Sequence, residues 1–104
     1  MQVSTCLKSC VVDVFDALAA PARRAILDAL SVRDDQTLFE ICTRLANDHD
    51  IELTRQAISQ HLTILEEAGL VVSRRHSRYK FHTINPTPLR DAMSRWLDTK
   101  ETDT

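Results

Sequence analysis

Three sets of side chains in this 104-residue sequence could do chemistry. The first is sulfur. Cys6 and Cys10 are four apart, so a helix would place them on one face, and Cys42 stands alone. Three such thiolates, from one chain or shared between two, could hold arsenite or a soft divalent ion, or act as a redox switch. The second set is charge. Residues 54–84 carry five basic and two acidic groups, whereas residues 1–53 carry five and nine, so a chain of formal net charge −2 contains one basic block. Such a block suits a surface that faces a polyanion; the plain alternative is a solvated patch. The third set is His49 between Asp48 and Asp50, which has ligand chemistry but lies in a polar acidic stretch that reads as a solvated loop. No nucleophile with its base and orienter stands out, and a single glycine cannot build a phosphate loop or a glycine-lined oxyanion turn. The chain is therefore expected not to be an enzyme.

The hydrophobic share of 43% and charged share of 27% are those of a globular domain, which excludes a disordered or fibrous chain. No apolar run approaches the roughly 20 residues that a bilayer span needs, so no membrane partner is expected. Residues 1–9 hold one lysine and no long apolar core, so no secretory leader is expected. Three cysteines are too few for a disulfide scaffold and fit a reducing cytoplasm. One glycine and three prolines argue against a β-sandwich and for helices with short connections.

The elements that must position these groups follow from periodicity and caps. Val12, Phe15, Leu18 and Ala19 predict a short helix over 11–19, and Pro21 opens a second with Ala22, Ile26, Leu27 and Leu30 inward. Residues 34–36 read as a polar turn. Thr37 and Glu40 have capping-box spacing ahead of Leu38, Ile41, Cys42 and Leu45, and residues 46–53 read as a loop with a frayed turn at most. Thr54 is placed to cap a helix through Ala68, whose inner row is Ile58, Leu62 and Leu65, with Gly69 at the left-handed position beyond its end. Residues 70–75 and 79–84 predict a β-hairpin with a wide, mobile tip at His76–Arg78, because the tip lacks Asn-Gly or Asp-Gly. The last helix is expected to start with Thr87 as cap and Pro88 first, carrying Leu89, Ala92, Met93, Trp96 and Leu97. The domain is thus expected over 11–99, with a flexible arm at 1–10 and a disordered tail at 100–104.

Two capped helices followed directly by a basic hairpin predict a mainly α fold with a small β-hairpin, an α+β winged helix-turn-helix. The major groove of DNA admits one helix, anchored by a buried row and reading bases with the opposite row. Here that outer row is Gln56, Ser59, Gln60 and Thr63, with Arg55 at the positive N-terminal end, near phosphate. Glutamine matches the N6/N7 edge of adenine, and hydroxyls suit several base edges. Arg74, Arg75, Arg78 and Lys80 of the hairpin complete the candidate site for double-stranded DNA, tracking phosphates or entering the minor groove. His61 reads as a packing or phosphate-facing group, and His76 and His82 as wing residues that add charge below about pH 6.5.

These residues carry a resemblance. The run Thr54-Arg55-Gln56-Ala57-Ile58-Ser59-Gln60-His61-Leu62, continued by Leu65-Glu66-Glu67-Ala68-Gly69-Leu70-Val71, resembles the recognition helix and start of the wing in the ArsR/SmtB family of bacterial winged-helix repressors. Residues 16–27 resemble the opening of that family, and Arg78-Tyr79-Lys80-Phe81-His82 its second wing strand. The resemblance covers roughly residues 14–97. It implies a homodimer paired through the first and last helices, here through Val12, Phe15, Leu89, Met93 and Trp96, which binds an imperfect inverted repeat and represses transcription. Two departures set the chain apart from the family's metal sensors. Its connection at 46–53 is several residues longer. Thr37, Leu38 and Phe39 stand where thiolate sensors have Cys-Val-Cys, and the last helix has Asp91 but no histidine for a zinc-type site. No metal or cofactor is therefore expected, and the effector, if one exists, is unassigned. The alternatives are a metalloid- or metal-responsive repressor using Cys6, Cys10 and Cys42, and a winged-helix adaptor that binds protein instead of DNA.

Overall fold

The computed structural model describes residues 13–103. Cys6, Cys10, Val12 and the flexible arm expected at 1–10 lie outside them. Five helices and one hairpin follow in order: α1 (Val14–Ala17), α2 (Pro21–Val32), α3 (Leu38–Asp48), α4 (Arg55–Glu67), β1 (Val71–His76), β2 (Tyr79–Ile84) and α5 (Thr87–Asp103).

The described part of the first helix is one turn, shorter than the 11–19 expected. Pro21 explains its end: the residue before proline is driven out of the helical region, and Ala20 is extended at φ −95°, ψ 129°. The carbonyls that α1 leaves open are taken by arginines of α2. Arg23 Nε donates to Ala17 O at 2.8 Å, and Arg24 Nη1 donates to Leu18 O. α1 is thereby fastened to α2 through its own C-terminus.

α3 begins with the expected reciprocal cap. Glu40 N donates to Thr37 Oγ1 at 3.3 Å, and Thr37 N donates to Glu40 Oε1 at 2.9 Å. The helix takes up Ala46–Asp48, which the acidic composition had suggested as loop; Arg44 and Asp48, one turn apart at 3.5 Å, favour the extra turn. Thr54 caps α4 by accepting from Ala57 N at 3.0 Å. At its other end Gly69 has φ +82°, Gly69 N donates to Glu66 O, and Leu70 N to Leu65 O, both at 3.0 Å. That is a Schellman closure, and it turns the chain straight into β1.

The core joins Ile26 and Leu30 of α2, Ile41 and Leu45 of α3, and Ile58, Leu62 and Leu65 of α4, with Leu70 and Val71 at the start of the hairpin. Each large side chain buried there is worth about 1.5–3 kcal/mol of transfer free energy. This packing fixes which face of α4 is left to solvent.

The hairpin is antiparallel, from Val71 opposite Ile84 to His76 opposite Tyr79. Its tip is therefore a two-residue turn, Ser77–Arg78, and not the wide loop expected. Ser77 supplies the positive φ, +62°, that glycine or asparagine usually provides. The hairpin root is held by the α2–α3 turn. Gln36 N donates to His82 O at 3.1 Å and His82 N to Gln36 O at 2.8 Å, a one-residue third strand. Gln36 is fully buried, a correction to its reading as part of a polar turn, and its Nε2 donates to Ala29 O at 2.8 Å and Arg33 O at 2.7 Å. It thus satisfies carbonyls at the end of α2. Asp35, at φ +58°, accepts from Thr83 Oγ1 at 2.9 Å and from Arg74 Nη2 at 3.1 Å. These donors hold its carboxyl below the usual carboxylate range.

α5 starts on Thr87 itself, so Thr87 is not its cap. Arg90 N donates to Pro86 O at 2.9 Å, and Thr87 N donates to the side-chain oxygen of Asn85 at 3.4 Å. Nothing after Pro88 is a proline or glycine, and the helical backbone continues through Asp103. The boundary expected at 100 is not a boundary of secondary structure.

Candidate nucleic-acid interface

With the inner row of α4 buried, Arg55, Gln56, Ser59, Gln60 and Thr63 all face solvent. Thr63 Oγ1 donates to Ser59 O at 3.1 Å, so that side chain offers outward a lone pair and a methyl group. Beside this row the hairpin folds down and a cleft opens between them. Arg55, Ser59 and Thr63 line one wall and Arg78, Tyr79 and Lys80 the other, with Thr37, Leu38 and Phe39 closing the end. Two elements distant in sequence thus bring three cations and three hydroxyls to one opening.

The four wing cations are not equivalent. Arg78 at the tip and Arg75 are exposed, and neither forms an ion pair among the described residues. Lys80 Nζ lies 3.7 Å from Glu66 Oε2, a loose pair. Arg74 is spent at the root: besides pairing with Asp35, its guanidinium lies 5.3 Å over the Phe81 ring. It steadies the wing from an exposed position.

His82 belongs to the wing, as expected, but its side chain is buried, 4% exposed. Alternation along β2 points it inward, where its Nδ1 lies 3.0 Å from Gln36 O and its Nε2 3.8 Å from Glu66 Oε2. His61, on α4, meets Arg23 of α2, with Nη1 3.1 Å from Nδ1. Arginine can only donate, so Nδ1 accepts and the neutral ring carries its proton on Nε2. Burial first, and the nearby Arg23 charge second, lower its pKa below the ordinary 6.5. The folded state therefore binds fewer protons than the unfolded one, so this histidine's share of stability is lost as pH falls from about 6.5. A His61→Gln variant should show a flatter dependence of Tm on pH below 6.5 than the parent. Equal slopes would remove His61 as the cause.

Of the residues read as a dimer surface, Phe15 and Trp96 meet within one chain, ring centroids 6.1 Å apart. Leu89 packs against the core and Met93 is half-buried. Phe15 and Trp96 still keep 40% and 51% of their surface exposed.

Residues 18–74 match the sequence family described as a helix-turn-helix domain. The chain is 44% identical to the uncharacterized HTH-type transcriptional regulator YuzN of Bacillus subtilis (strain 168), over 82% of this chain and 92% of that one. It is 31% identical to the transcriptional repressor SdpR of the same organism, over 82% and 86%. Among solved structures, an ArsR-like transcriptional regulator from Rhodococcus sp. RHA1 superposes with a TM-score of 0.68 at 31% identity, covering 86% of this chain and 75% of that one. This chain belongs to the ArsR family of winged-helix transcription regulators.

In this ArsR-family chain Cys42 sits half-buried against the core, and burial pushes its thiol up, against the opposing pull of Arg55. The protonated thiol is the form that neither ligates nor attacks. No group of three or more metal-ligating side chains occurs among the described residues. No described helix is long and apolar enough to cross a membrane. Sequence reasoning missed Phe39 and Tyr79 as cleft residues. Phe39 directly follows an inward leucine and Tyr79 lies at the start of a strand, and neither residue type announces a cleft position.

Proposed function

We propose that this ArsR-family chain is a cytoplasmic, non-catalytic, homodimeric repressor that binds an inverted-repeat operator. The observation that supports the reading is the shared cleft: Arg55, Ser59 and Thr63 of the solvent-facing row of α4 open on it together with the tip of the hairpin. α4 enters the major groove, where the amides of Gln56 and Gln60 address adenine edges and Ser59 and Thr63 address neighbouring bases. Arg55, Arg75, Arg78 and Lys80 engage phosphates and set the register. Two copies pair through α1 and α5, with the exposed parts of Phe15 and Trp96 covered by the partner. A small dimer seated on a promoter excludes polymerase and needs no activating surface.

The test is a binding titration on duplexes selected from random sequence, with stoichiometry and salt dependence measured together. Two chains should bind each inverted repeat. Gln60→Ala should cost about 1–3 kcal/mol on the selected site and relax the preference at one position. Arg78→Ala should weaken all duplexes alike and reduce the salt slope by about one unit. Identical behaviour of the two variants would refute the division between a reading helix and a positioning wing, and binding to no duplex would leave a protein-binding adaptor.

A further inference from the structure

The proposed reading uses two walls of the cleft and leaves the third without a role. Phe39 forms that wall. It is the second residue of α3 and is 64% exposed, although Leu38 beside it packs against the core. The capping box of Thr37 and Glu40 fixes where α3 begins and so sets the backbone position from which the ring reaches the cleft. A single exposed apolar side chain is common and by itself means nothing. This one lies between a groove along α3 and the cleft, and on the cleft side it shares the lining with Arg55 at the start of α4 and Arg78 at the wing tip, two exposed cations that form no ion pair among the described residues. The one carboxylate in the cleft, Glu66, is directed to Lys80 and His82.

A ligand complementary to this cleft presents negative charge to two walls and an apolar face to the third. One strand of duplex DNA does so, because its phosphates alternate with the C–H faces of deoxyribose. We propose that Phe39 is a DNA-contacting residue, its ring packed on the sugar face of the strand whose phosphates meet Arg55 and Arg78. The inference rests on the regulator reading above and extends it to a side chain outside both the reading helix and the wing. The contact is apolar, so it displaces water and releases no counterion. Phe39 should therefore affect affinity without affecting its salt dependence.

The experiment is fluorescence anisotropy of the full chain on its selected duplex across a series of salt concentrations, with Phe39→Ala, Phe39→Leu and Arg78→Ala beside the wild type. Phe39→Ala should weaken binding about tenfold at every salt concentration, with a log–log slope equal to wild type. Phe39→Leu should recover most of the loss, and Arg78→Ala alone should flatten the slope. An exposed ring contributes little to the fold, so the Tm of Phe39→Ala should match wild type. Sedimentation should report the same mass for both. Binding of Phe39→Ala within twofold of wild type would overturn the inference and leave the regulator reading intact. A flattened slope would overturn it as well, assigning the effect to displaced arginines. A changed mass would make Phe39 an interface between copies of this chain. Failure of the wild type to bind any duplex would remove both readings.

Discussion

Truncating Leu65 to alanine should lower the free energy of unfolding by about 2–5 kcal/mol, a large part of the 5–15 kcal/mol of a typical domain. Leu65 is fully buried in the inner row of α4, and its carbonyl receives Leu70 N in the turn that launches the hairpin. The cavity would open beneath α4 and at the root of the hairpin together. Urea unfolding monitored by circular dichroism should show a lower midpoint with the slope unchanged. A loss below about 1 kcal/mol would mean that the site collapses around the void, and that the helix is held by something other than this row. Gln60→Ala, on the opposite face of the same helix, should stay within about 0.5 kcal/mol of wild type in the same assay.

Gln36→Glu should be nearly as costly, about 2–4 kcal/mol at neutral pH. The replacement removes an amide that donates to Ala29 O and Arg33 O and directs a carboxylate at those carbonyl oxygens in a site without solvent. The charged form is disfavoured there, so the folded-state pKa of the new carboxyl rises above the ordinary value near 4.3. A group raised on folding stabilises fully below its unfolded pKa and loses that contribution as pH rises through the folded value. The deficit should therefore be largest near pH 7 and shrink toward pH 4. Parallel urea titrations at the two pH values check this. A deficit independent of pH would show that the new side chain has turned out to solvent.

Local chemistry made much of this fold legible. The reciprocal cap of Thr37 and Glu40, the oxygen of Thr54 and the single glycine at 69 each answer a need of the adjacent backbone, so residue type and position suffice to read them. The outer row of α4 was legible for the same reason, because a 3.6-residue period divides its faces. What escaped depends on neighbours distant in sequence. Gln36 and His82 are polar types that ordinarily face water, and only their pairing across 46 positions makes burial affordable. The pairing of Arg74 with Asp35 is invisible in the sequence because the two lie 39 positions apart. The hairpin tip was misjudged because Ser77 adopts a left-handed conformation that its side chain does not announce. Phe39 falls off the inward row of Leu38, Ile41, Cys42 and Leu45, and periodicity does not say what it faces. It lies on the side of α3 toward the cleft, which only the packing of α3 on α4 and β2 determines.

The closed tip at Ser77–Arg78 and the anchorage of the root by Asp35 and Gln36 make the wing a rigid gauge, not an adaptable finger. The span from the face of α4 to the wing tip is set before any ligand arrives, so little conformational entropy remains to be lost on contact. Any misfit between that span and the contour of a duplex must then be absorbed by the nucleic acid. Sequences that bend or narrow readily gain an advantage from this, even at base pairs that no side chain reaches.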